Sequence, residues 1–168
     1  TFPQYLIFKP GMIITAILLC FYWHKNNILI NHFKNISPKK NNFMVFGFLS
    51  AVFLVLHSIL LGLETDVKIF KFLRRVVLVS FIIFEIIAQS ILVVNFYKLK
   101  NKLKNFYRPN ILILKILLVS ILILVAIISI PLLIVSGNIH FKHGLEWNYF
   151  IGVIFFYLLT SFFWKKIS

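Results

Sequence analysis

Residues 76–97 read VVLVSFIIFEIIAQSILVVNFY, with Arg74 and Arg75 immediately before them and Lys98 immediately after. As a helix this stretch would extend roughly 33 Å at 1.5 Å per residue, which matches a hydrocarbon core about 30 Å thick. Its flanks carry the cations, and its end the amphipathic Tyr97, that suit the headgroup region. Its middle carries one charged residue, Glu85. A run of this length and composition predicts a transmembrane helix.

Four more apolar runs of similar length lie around it. The expected spans are residues 5–23, 43–63, 76–97, 111–135 and 147–164. Composition agrees: 61% of the 168 residues are hydrophobic and 13% charged, where a soluble domain has about half and about a quarter. Mean hydropathy is +0.96. A soluble chain this short would expose apolar surface on every side. The predicted fold is therefore all-α, a polytopic transmembrane helical bundle of about five spans, forming a single domain over residues 1–168. The loops leave no room for a soluble domain. Cys20 is the lone cysteine, which excludes an intramolecular disulfide and a cysteine-based zinc site. Within an apolar run it is expected to pack as a small hydrophobe. No separate signal peptide is expected.

Local detail refines the borders. Lys9-Pro10-Gly11 interrupts the first span near its start, where proline is tolerated in a first helical turn. Residues 24–42 form a polar stretch between spans one and two. Residues 64–75 carry charges at helical spacing and suit an amphipathic lead-in to span three. Residues 98–110 are a basic loop, Pro131 is expected to kink or end span four, and residues 137–146 are expected to form a short loop. Tyr22, Trp23, Tyr97, Tyr107, Trp147 and Trp164 fall near span ends, as an aromatic belt would.

The cations give a direction. The loops after spans one and three, with the C-terminus, hold eleven lysines and arginines and no acid. The opposite side holds six, offset by Glu64, Asp66 and Glu146. Short basic loops resist translocation, so the expected topology is N-terminus out and C-terminus in. The basic side would then be cytoplasmic in a bacterial inner membrane, or the matrix side of a mitochondrial inner membrane. The formal charge of +14 lies in juxtamembrane loops rather than along one face. That pattern fits anionic lipid, each basic residue near the surface contributing about 1 kcal/mol, and not nucleic acid.

Few residues are candidates for chemistry. Glu85 lies midway along span three, where a carboxylate costs at least about 2.5 kcal/mol on insertion scales. Gln89 follows one turn later on the same face. The pair should face a neighbouring helix or a wet cavity, and His57 in span two is a candidate partner nearer the outer end. One reading is a proton relay or polar ligand site. The other is a protonated Glu85 hydrogen-bonded to Gln89 or a neighbour, fixing the packing.

At the outer border, Glu64, Asp66 and Glu146 gather with His57, His140 and His143. The His140 and His143 spacing suits one metal if that segment is helical. No HExxH pattern is present, and loop histidines beside lysine are more often solvated. Haem ligation is not expected, because His24 and His57, the histidines in or near a span, fall at different depths. No cofactor is expected, although bound lipid is. In span two, Gly47/Ala51 and Ser58/Gly62 are small-xxx-small pairs that allow close helix approach, within the bundle or against a partner subunit.

The stretch from His57 to Gln89, whose acidic and paired-arginine segment runs into Phe84-Glu85-Ile86-Ile87-Ala88-Gln89, is one half of a resemblance. Leu145-Glu146-Trp147-Asn148-Tyr149-Phe150, opening the last helix, is the other. Together they resemble small multi-pass proteins of AT-rich alphaproteobacteria, a group that brings no established activity. The abundant lysine, asparagine, isoleucine and phenylalanine, all with A/T-rich codons, agree with such a source. The last helix, from Glu146-Trp147 to Leu159-Thr160, is also similar to that of Frag1/DRAM-type membrane proteins. The long extracytoplasmic loop of that group is missing.

These features predict a non-catalytic integral membrane protein: an accessory or assembly subunit of a membrane complex, or a lipid-contacting scaffold, with other membrane chains or its own copies as partners. The alternatives are a small proton-coupled transporter using Glu85 and Gln89, and a metal-dependent intramembrane hydrolase using the outer histidines and acids.

Overall fold

The computed structural model describes the backbone of residues 4–34, 41–60, 68–135 and 139–165. It describes their side chains except at 4–7, 68, 71, 129–135, 139–143 and 145–147. The described residues form α1 (Gln4–Lys34), α2 (Asn42–Leu60), α3 (Lys68–Lys98), the short α4 (Lys100–Leu103), α5 (Pro109–Val135) and α6 (Ile139–Phe163). Four stretches are long and apolar enough to cross a membrane: Phe8–Lys34, Asn42–Leu60, Phe72–Lys98 and Pro109–Ile128. Asn148–Phe163 in α6 is a fifth, shorter apolar stretch. The protein is all-α and multi-pass.

Side chains sort by face in a way that suits an apolar surrounding. On α2 the exposed stripe is Val45, Leu49, Val52, Leu56 and Ile59, at the three- and four-residue steps of one helix face. The buried residues of the same helix are Phe43, Met44, Gly47, Ser50, Ala51, Leu54, His57 and Ser58. The hydroxyl and imidazole groups lie inside together with large apolar side chains, and the outward stripe is entirely aliphatic. In water this arrangement would forfeit burial worth roughly 1.5–3 kcal/mol per aliphatic side chain. In hydrocarbon it costs nothing and gives the hydroxyls protein partners.

The chain packs as two compact units, Thr1–Ala88 and Gln89–Ser168, the division falling within α3. In the first unit α1 lies against α2. A Cβ built on Gly47 would fall inside the indole of Trp23, which is fully buried. Trp23 also meets Phe43 at 6.1 Å and Tyr22 edge-on at 5.0 Å between ring centroids. Trp23 is thus a core residue of the α1–α2 contact and not a headgroup anchor. Phe84 of α3 stacks on both Phe46 and Phe53 of α2, at 6.1 and 5.3 Å.

The polar stretch expected as a loop from residue 24 is helical through Lys34. Asn41 explains why. Its Nδ2 donates to Asn27 Oδ1 at 2.7 Å and to Asn31 Oδ1 at 2.9 Å, and its backbone N–H donates to Asn27 Oδ1 at 3.1 Å. Asn27 and Asn31 are one turn apart, so a single residue at the head of α2 grips two successive turns of α1. Pro10 lies inside α1, not in its first turn, so the carbonyl of Leu6 loses its usual helical donor.

In the second unit α5 packs on α6. A Cβ on Gly152 would stand 2.5 Å from Leu122 Cδ2, so this glycine is where the two helices approach closely. Helix α5 runs past Pro131 to Val135, so of the two outcomes expected at this proline it does not end the helix. One expectation for this unit is corrected. Helix α6 starts at Ile139, so most of the expected 137–146 loop is helical, and Asn148 Nδ2 donates to the Gly144 carbonyl at 2.9 Å.

The basic loop after α3 is also structured. It holds α4 and then an antiparallel bridge between Tyr107 and Trp164. The Arg108 N–H donates to the Phe163 carbonyl, and the Lys165 N–H donates to the Phe106 carbonyl, each at 3.0 Å. Tyr107 is buried against Phe163, with centroids 5.4 Å apart, which moves it from the border belt into the packing of this unit.

Candidate functional site

Two fully buried ionisable side chains stand out, one in each unit. Glu85 has no exposed surface. Ser50 Oγ lies 2.6 Å from Glu85 Oε2 and 2.8 Å from the carbonyl oxygen of Gly47 in its own helix. Ser50 sits on α2 between Phe46 and Phe53, the two rings that take Phe84, the neighbour of Glu85. The carboxyl group therefore meets α2 at a contact already fixed by aromatic stacking. Gln89, one turn further along α3, is also fully buried.

His57 is buried on α2. It lies seven residues beyond Ser50, about 10 Å along the axis. Ser50 is thus an α2 side chain that meets the carboxyl group, and His57 lies two turns further along the same helix. No sequence pattern marked Ser50. Its heptad-like position between Phe46 and Phe53 was the only available signal.

Lys115 is the residue that sequence reading passed over. It lies six residues after Pro109 on α5 and has no exposed surface. Its Nζ donates to Thr160 Oγ1 at 2.5 Å and stands 4.2 Å from the centroid of Phe156 and 5.4 Å from that of Phe163. Thr160 Oγ1 in turn donates to the Phe156 carbonyl at 3.0 Å. A single relay thus runs from the lysine through the threonine to the α6 backbone. The ring faces offer the cation a second kind of partner. The signal was present in the sequence as a lone lysine in an otherwise apolar run.

The outer-border cluster lies largely outside the described residues. Glu64, Asp66 and Gly62 fall there entirely, as do the side chains of His140, His143 and Glu146. Both histidine positions belong to the α6 backbone. Among the described residues no group of three metal-ligating side chains occurs. Of the small-residue pairs, Gly47 receives Trp23, Ala51 is buried, and Ser58 Oγ donates to the Lys9 carbonyl of α1 at 3.3 Å.

Comparison with protein-family models, curated proteins and solved structures finds no match to this chain.

Proposed function

We propose that this protein is a non-catalytic integral membrane subunit, acting through what its helices touch: lipid, and neighbouring chains of a membrane assembly. The observation that carries this reading is the face pattern of α2, whose outward stripe is entirely aliphatic while its hydroxyl and imidazole groups lie inward among apolar side chains. The polar inventory is spent on helix packing. Ser50 and Glu85 join α2 to α3, Ser58 and the asparagine ladder join α1 to α2, and Lys115 and Thr160 join α5 to α6. In this reading Glu85 fixes a helix contact. In the competing one, a proton-coupled transporter, it would carry the proton.

The test is purification in a mild detergent followed by native gel migration and identification of co-purifying chains. A complex larger than the monomer with its micelle, at constant stoichiometry, is the expected result. The same complex is expected from a Glu85→Gln chain, which keeps an acceptor for Ser50. A monomer that carries no other chain sinks the proposal, and so does an assembly lost on Glu85→Gln while the fold is retained.

A further inference from the structure

One end of the second unit combines charge, aromatic rings and a backbone clip. The tail of α3, α4, the start of α5 and the end of α6 meet there around Phe96, Tyr107, Phe163 and Trp164. Phe96 lies 5.0 Å from Phe163 and 6.1 Å from Trp164 between ring centroids. The two backbone hydrogen bonds across the Tyr107–Trp164 bridge hold residues 106–108 beside residues 163–165. Two stretches far apart in sequence therefore bring Arg108 and Lys165 to one place.

Around this clip Lys98, Lys100, Lys102, Lys104, Arg108 and Lys165 are all exposed. Residues 89–113 and 156–165 contain no aspartate or glutamate, so these segments bring no carboxylate of their own to balance the six cations. The rings are placed as at a membrane border. Tyr97 is half exposed with Lys100 Nζ 4.4 Å above its face, and Phe106 is exposed in the turn that follows α4. Cations on an aromatic base, at the ends of helices that cross hydrocarbon, meet the headgroup layer first.

We infer that this clipped end is a binding site for the phosphate of an anionic phospholipid, with Arg108 and Lys165 as its principal ligands. The guanidinium fork of Arg108 can take two phosphate oxygens in a fixed planar geometry that a lysine ammonium does not impose. Lys104, at the end of α4, supplies further positive charge at the rim. The inference rests on the membrane reading proposed above and names the lipid class that one part of it contacts.

The test uses the full chain in nanodiscs of phosphatidylcholine containing a minor fraction of phosphatidylglycerol. The lipid retained after transfer to a neutral detergent is then measured by mass spectrometry. The wild-type chain should enrich phosphatidylglycerol over its bulk share. Arg108→Gln and Lys165→Gln should each lower that enrichment about fivefold. Arg108→Lys, which keeps the charge and loses the fork, should lower it as well. Lys25→Gln, an exposed cation of the first unit, should leave it unchanged.

Absence of enrichment in the wild type overturns the site. So does a pattern in which Lys25→Gln matches Arg108→Gln while Arg108→Lys is silent, because that is the signature of diffuse attraction. Either failure is separable from failure of the membrane reading, which would appear as a chain that enters neither neutral nor anionic bilayers.

Discussion

Lys115 shows how a single cation is accommodated between two membrane helices. Its Nζ reaches Thr160 Oγ1, the threonine hydroxyl donates a hydrogen bond to the Phe156 carbonyl, and the Phe156 ring lies 4.2 Å from the nitrogen. Removing the hydroxyl should leave a buried donor without its oxygen. Thr160→Val should therefore destabilise the protein by about 1–3 kcal/mol. Replacing the lysine too should recover most of that loss, because an apolar isostere no longer needs the partner. Thermal unfolding in detergent of Thr160→Val, Lys115→Met and the double variant closes the cycle. Additive losses would show that the two side chains are uncoupled. Glu85 and Ser50 form the corresponding contact of the first unit, a carboxyl group against a hydroxyl one helix away.

At the scale of elements, α1 and α2 illustrate how short polar side chains set helix length. Asn27 and Asn31 would favour a turn in an isolated peptide. Asn41 instead satisfies both from across the connection, and the helix persists to Lys34. Replacing Asn41 with alanine removes at once the two bonds its side chain donates and the one it accepts from Lys34 Nζ at 3.5 Å. The expectation is local: residues 27–34 should exchange their amide protons about ten- to a hundredfold faster, consistent with losing about 1–3 kcal/mol of local stability. The α2 interior should keep its protection. Exchange unchanged at 27–34 would mean that lipid, and not the asparagine ladder, holds this end of α1. Further along the same pair, Gly47 makes room for the Trp23 indole, and the outward stripe from Val45 to Ile59 is left for lipid.

At the scale of the whole molecule, the open question is direction. The excess of lysine and arginine in the loops after the first and third spans supports an N-terminus outside and a C-terminus inside. Cys20 is the lone native thiol, so a Cys20→Ala background permits site-directed labelling. On that background Lys102→Cys should react with an impermeant maleimide only after the membrane is opened. On the same background Asp66→Cys, in the segment between the second and third spans, should react without opening the membrane. Labelling of Lys102→Cys in sealed spheroplasts would reverse the assigned direction.

The membrane class and the number of apolar helices followed from the sequence alone, because both depend on one-dimensional quantities. An unbroken run of some twenty apolar residues is a length matched to bilayer thickness, whatever it packs against. Burial of Glu85 and Gln89 was legible on the same ground, since a carboxyl group midway along such a run has nowhere else to go. Three outcomes waited for the tertiary structure. Helix α1 ends at Lys34 and not near residue 23, because the deciding residue, Asn41, lies beyond the connection. That Ser50, 35 positions away, meets Glu85 was decided by the register of two helices. Lys115 is buried because Thr160 and Phe156 come to it from another helix. In each case the deciding interaction joins residues far apart in the chain. Apolar periodicity records how each helix meets lipid, and it carries no record of which polar side chains meet one another.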